Sequence, residues 1–204
     1  KIAIVPQPNW RDDLRDFKKL GRPRLFFGIS GGCMDSMVNK YTANKRLRSE
    51  DAYTPDGRPD MRPDYPSTVY SQILKKLFPD VPVVIGGIEA SLRRLSHYDY
   101  WQDKVQKSIL CDSGADLLIY GMGEKPLADL VKNMKSLLTT EEPVLTSSKF
   151  RTIIGSVPQT AYLCRATEWT SAEDDLQLYS HEECLADKKK QASNFRHIEE
   201  ESNK

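Results

Sequence analysis

Clustered cysteine is the first thing this sequence lacks. Its four cysteines, Cys33, Cys111, Cys164 and Cys184, stand far apart, with no CxxC and no CxxxCxxC spacing. That excludes a thiolate cage built from sequence neighbours, whether for zinc or for an iron–sulfur cluster. No disulfide framework is expected either, so each reads as a free thiol. Histidine is scarce, with three residues and no HExxH, and no Ser–His–Asp arrangement is visible. GxGxxG and the P-loop pattern are absent, which removes the fingerprints of dinucleotide and ATP binding. No apolar run approaches the length of a membrane span. A formal net charge of +1 gives no long-range attraction to nucleic acid or anionic lipid. A soluble, cytoplasmic protein with no metal site of its own is expected.

What is present is the alternation of an α/β protein. The apolar fraction is 39%, enough for one core. Short apolar runs at 2–5, 25–29, 83–85 and 117–120 read as strands buried on both faces. Amphipathic patterns at 12–20, 33–48, 67–78, 101–110 and 124–138 read as helices. The last is the clearest, with Leu127, Leu130, Val131, Met134 and Leu138 on one side and Pro126 in its first turn. The fold class expected is therefore a Rossmann-like, doubly wound α/β domain with a mostly parallel sheet over residues 1–140. Residues 49–66 interrupt it as an insertion rich in Pro, Asp, Arg and Tyr, too long for a plain connector. Residues 141–204 read as a β-hairpin, 152–154 against 161–163, followed by a charged helix over 182–203. The chain opens on Lys1 and closes on a charged helical stretch, which predicts missing sequence on both sides.

In open parallel sheets ligands bind beyond the carboxyl ends of the strands. Three glycine-rich turns fall there: Ser30-Gly31-Gly32, Gly86-Gly87 and Gly121-Met122-Gly123-Glu124. Glycine lets backbone approach a ligand closely, and the helix starts that follow offer free N–H groups. One such turn is most simply a tight connection; three at one edge point to a ligand crevice. The stretch Gly86-Gly87-Ile88-Glu89-Ala90-Ser91-Leu92-Arg93-Arg94 adds Glu89 and two arginines. Arg93 and Arg94 either clamp an anion, or stay solvated, or pair with Asp99 or Asp103 and complement a helix end. The candidate cofactor-binding residues are thus Ser30, Gly31, Gly32, Gly86, Gly87, Glu89, Arg93, Arg94, Gly121, Gly123 and Glu124. His97 reads first as a structural histidine. In the insertion, Tyr53, Asp56, Arg58 and Arg62 either contact substrate or belong to a solvated loop packing on a neighbouring domain.

Several long strings resemble one family. Residues 28–35, 41–43, 51–56, 62–64, 86–94, 97–101 and 115–126 together resemble the N-terminal region of YgiQ-type radical S-adenosylmethionine proteins, above all the string Gly-Gly-Ile-Glu-Ala-Ser-Leu-Arg-Arg. The resemblance implies an accessory domain that contributes a substrate or cofactor surface to a downstream barrel. In that family a CxxxCxxC motif in the barrel holds a 4Fe–4S cluster that chelates S-adenosylmethionine. Those cysteines are not in this sequence, so no cofactor is expected in this chain, and its partner is the barrel. A more distant similarity runs to cobalamin-binding domains. The turn at Ser30 and the insertion depart from them, which counts against cobalamin. The alternatives are a cobalamin- or nucleotide-binding module and a purely structural packing domain.

Overall fold

The structure, a computed structural model, describes residues 1–202. In chain order the elements are α1 (Arg15–Lys18), β1 (Phe27–Ser30), α2 (Ser36–Lys40), α3 (Pro66–Leu77), β2 (Val83–Gly86), α4 (Gly87–Leu92), β3 (His97–Asp99), β4 (Lys104–Gln106), α5 (Ile109–Ser113), β5 (Leu117–Ile119), α6 (Glu124–Ser136), α7 (Ser147–Phe150), β6 (Thr160–Ala161), α8 (His181–Ala186) and α9 (Lys188–Ser202). They form two compact units. One comprises Lys1–Arg94 and Ile109–Leu163, the other Leu95–Ser108 and Cys164–Lys204.

The first unit is the expected α/β domain. Its sheet runs β1-β2-β5-β6, with β1, β2 and β5 parallel and β6 antiparallel to β5. The inner strand β2 reads Val-Val-Ile-Gly, and its three apolar residues are buried, as in a strand covered on both faces. Alternation then divides the core into two layers. Val83, Ile85 and Leu118 pack with Phe17, Tyr70, Leu74, Ile109 and Leu110 from α1, α3 and α5. Val84, Leu117 and Ile119 pack with Leu130, Met134, Leu145 and Phe150, from α6, α7 and the segment between them. Helices thus cover both faces, and the sheet is doubly wound.

Several local expectations are corrected. Residues 2–5 form no strand, and Ile2 and Ile4 are almost fully exposed; an apolar run becomes a buried strand only where a sheet neighbour covers it. The helix expected over 33–48 lasts only from Ser36 to Lys40. A tight turn stops it, with Lys45 at φ 59° and Thr42 N donating to Arg46 O at 2.8 Å. The 152–154 arm of the hairpin coils through short-range bonds such as Ile153 N to Phe150 O, 3.1 Å. Only Thr160–Ala161 enters the sheet, against β5.

The second unit contains the antiparallel pair β3–β4 and the helices α8 and α9. The helix expected over 101–110 gives way to β4 and, beyond it, to α5. Asp99 is buried and its Oδ1 accepts from Trp101 N at 2.8 Å and Gln102 N at 3.0 Å. That side-chain turn competes with a helix start and folds the chain back on itself. The charged helix expected over 182–203 is two helices. Asp187 is extended between them and accepts from Lys189 N at 2.8 Å. Asn203 lies outside the described residues. Asn194 ties the unit together, pairing with both backbone groups of Tyr179 at 2.9 Å and donating to Cys184 Sγ at 3.2 Å.

Candidate functional site

β1, β2 and β5 are parallel neighbours, so their carboxyl ends lie side by side and the three glycine turns meet at one edge of the first unit. Helix α4 joins them. It starts at the second turn, where Gly87 adopts φ 82° and a Cβ would lie 2.6 Å from Ser30 Oγ of the first. Both the left-handed backbone and the close approach require glycine at this position. Two residues on, Glu89 is fully buried and presses against Gly31, where a Cβ would lie 3.0 Å from Glu89 Oε2. Ser91 Oγ accepts from Gly121 N of the third turn at 3.3 Å. One short helix thus touches every turn of the edge.

The polar groups of α4 are engaged inside the unit. Glu89 Oε2 accepts from Ser36 N at 3.2 Å, and Oε1 from Ser67 N at 2.9 Å. These are the first turns of α2 and α3, where backbone N–H groups have no helical partner. Arg93 forms a buried ion pair with Asp35 through its Nη1. The same nitrogen donates to Glu89 O at 3.1 Å, and the guanidinium lies 5.3 Å over the Tyr65 ring. Asp35 in turn caps α2, accepting from Met37 N at 3.0 Å and Val38 N at 3.3 Å. Arg94 donates to Ser91 O at 2.7 Å and stacks 5.0 Å over Tyr120, just past β5.

Of the residues singled out in the sequence, the structure therefore brings together Ser30, Gly31, Gly32, Gly86, Gly87, Glu89, Arg93, Arg94, Gly121 and Gly123. Glu124 opens α6 at the same edge and is exposed. His97 belongs to the second unit, where its Nδ1 lies 3.0 Å from Leu95 O. The insertion is pinned to the domain. Lys40 bridges Asp60 at 2.6 Å and Asp64 at 2.7 Å. Arg62 reaches the first turn, donating to Gly31 O at 3.2 Å while pairing with buried Asp51 at 3.0 Å. Arg58 pairs with Asp56 on the surface. Asp35, Ser67 and Ser91 escaped notice in the sequence. Asp35 alone carried a legible signal, an Asp just before an amphipathic run.

A further group of side chains at the edge faces outward. Ile88 and Leu92, one turn apart on α4, are 46% and 60% exposed, and Met122 of the third turn is 76% exposed. Among the described residues no group of three His, Cys, Asp or Glu side chains can hold a metal ion. Cys33, Cys111 and Cys164 are exposed singly and Cys184 is buried. The cysteines among the described residues are thus too scattered to hold an iron–sulfur cluster. No helix among the described residues is long and apolar enough to cross a membrane.

The family model described as Radical SAM N-terminal matches residues 1–204. The chain belongs to this family. It is 82% identical over all 204 residues to a UPF0313 protein of Bacteroides thetaiotaomicron and 65% identical over the same length to one of Porphyromonas gingivalis. A UPF0313 protein of Thermotoga neapolitana is 55% identical over 132 residues, 65% of the chain and 23% of that relative. The chain covers 33% and 31% of the first two relatives, so it spans about a third of their length. No solved structure matches it. The resemblance drawn from the glycine strings and the α4 motif is the one these relatives bear out.

Proposed function

We propose that this chain is the accessory N-terminal domain of a radical S-adenosylmethionine iron–sulfur enzyme of the cytoplasm. In this reading its glycine edge faces the catalytic barrel and lines a substrate or cofactor surface there. The 4Fe–4S cluster and S-adenosylmethionine belong to the barrel, whose thiolates would hold the cluster and whose chemistry the cofactor supplies. The observation that carries the reading is the division of labour on α4. Glu89, Ala90 and Arg93 are buried, whereas Ile88 and Leu92 stand exposed beside the turns. An apolar pair at i and i+4, next to exposed Met122, is a surface suited to a protein partner. The relatives' additional two-thirds of chain supplies one.

Amide hydrogen exchange tests this. Residues 87–94 should exchange more slowly in a full-length protein carrying this domain than in the 204-residue chain alone. In the full-length protein, the double variant Ile88→Asp/Leu92→Asp should lose that protection and its turnover. The isolated domain with the same changes should largely keep its melting temperature, because both side chains lie on the exposed face of α4. Equal exchange in the long and short chains refutes the docking.

A further inference from the structure

The last helix of the second unit, α9 (Lys188–Ser202), packs inward through one side only. Asn194 is buried there, and Ile198 is half-buried. Phe195, the other large apolar side chain of the helix, is instead 61% exposed. Around it, Lys188, Ala192, Phe195 and Glu199 follow one another at i, i+4, i+7 and i+11, the spacing of one stripe along an α-helix. All four are exposed. Along the helix the stripe reads cation, small, large, anion, an order that complements itself when reversed. We propose that α9 docks on α9 of a second copy of this chain. The two helices run antiparallel, with Lys188 of each meeting Glu199 of the other and Phe195 of each packing over Ala192 of the other.

Three features favour a second copy over another partner. The first is register. Lys188 and Glu199 stand equally far from the middle of the stripe, and so do Ala192 and Phe195. One two-fold axis, passing midway between Ala192 and Phe195, therefore satisfies every contact at once, which is what a surface that pairs with itself requires. The second is direction. A parallel copy would set Lys188 beside Lys188 and Glu199 beside Glu199, so charge selects the antiparallel arrangement. The third is the balance of charge. The stripe carries one charge of each sign, and beside it Arg196 is engaged with Glu200 of its own helix at 2.7 Å. A partner of uniform charge, such as nucleic acid, gains nothing from such a face. The stripe is about 16 Å long at about 1.5 Å per residue, so the contact is small and belongs with weak, reversible interfaces.

Sedimentation equilibrium of a full-length protein carrying this domain tests the pairing, over about 0.01–1 mM. The wild type should show a reversible monomer–dimer equilibrium. Lys188→Glu should weaken the dimer about tenfold, because two repulsive contacts replace two attractive ones. Glu199→Lys should do the same. Neither change should unfold α9, since an acidic residue suits a helix start and a basic one its end. An equimolar mixture of the two variants should recover the wild-type affinity, because every end contact of the mixed pair again joins opposite charges. Phe195→Ala should weaken the dimer about tenfold as well, by removing its apolar anchor. A protein that stays monomeric throughout overturns the proposal, and slower amide exchange of α9 in that monomer than in the 204-residue chain would assign the face to the rest of the protein instead. A dimer that neither charge variant weakens overturns it too, as do charge variants that fail to recover affinity on mixing.

Discussion

Gly87→Ala should destabilise the first unit by two separable effects. Alanine at φ 82° sits in the left-handed region, which costs about 1–2 kcal/mol. The new Cβ would also lie 2.6 Å from Ser30 Oγ. That oxygen is held by Gly32 N, so moving it disturbs the first turn, and such overpacking adds about 1–3 kcal/mol. The loss of unfolded-chain freedom returns about 0.4–1 kcal/mol. The net loss is about 1–5 kcal/mol, a fall in melting temperature of about 2–20 °C for a chain of this size. Gly57→Ala is the control, because Gly57 has φ 65° but nothing within 4 Å of the added Cβ. It should show the backbone cost alone. Urea unfolding can be read from Trp10, which packs on the core of this unit, with Trp101 and Trp169 replaced by phenylalanine. Adding Ser30→Ala to Gly87→Ala should recover the steric part and leave the backbone part, a coupling of about 1–2 kcal/mol. If Gly87→Ala costs no more than Gly57→Ala, the two turns are not packed as described.

Arg93→Met leaves the Asp35 carboxylate buried without its cation, and should cost about 3–5 kcal/mol in urea unfolding; a loss below about 1 kcal/mol would contradict that burial. Tyr70 is pushed up to about 12, mainly by burial, with Arg62 pulling it back and Glu89 raising it. A raised phenol contributes stability that is complete below pH 10 and disappears as the pH climbs toward 12. Tyr70→Phe should therefore flatten the alkaline loss of stability. At neutral pH it should be neutral or stabilising by up to about 1 kcal/mol, since the hydroxyl has no partner, and a clear destabilisation there would refute the assignment. Asp60 is held below the ordinary carboxylate range, chiefly by its hydrogen bond to Lys40. That contribution is present above the ordinary value and is lost as pH falls through the depressed one. Lys40→Met should reproduce the acid effect at neutral pH, releasing the insertion and speeding proteolysis around exposed Asp56, and an unchanged cleavage rate would show that the bridge does not pin it.

The strands that build the sheet were legible because burial on both faces leaves a plain mark. Val83, Val84 and Ile85 admit no polar residue, and Leu117 to Ile119 follow the same rule. The run at 2–5 carries the same mark without the burial. Sequence reports that a segment would accept a sheet neighbour, not that one is there. Helix boundaries failed where a single side chain outbid periodicity. Asp99 captures two backbone N–H groups and makes a turn where Trp101, Val105 and Ile109 had suggested a helix. Asp187 splits the last helix in the same way.

The site was legible as a place but not as a set of roles. Glycines after three strands marked the edge correctly, because positive φ and close approach leave few other residues possible. For Arg93 and Arg94 the sequence left two roles open, an anion clamp and pairing with carboxylates at a helix end, and it placed Glu89 among the ligand candidates. In the structure Glu89 serves the backbone of α2 and α3, Arg93 serves Asp35, and Arg94 covers Tyr120. The inversion follows from helix geometry. On a six-residue helix that begins at the sheet edge, positions Glu89, Ala90 and Arg93 fall on the face toward the domain, and Ile88 and Leu92 on the face away from it. The motif therefore reads inside out, with charge holding the edge together and apolar side chains left for whatever meets it. A search for the partner of this domain should accordingly look for an apolar surface rather than for an acidic one matched to Arg93 and Arg94.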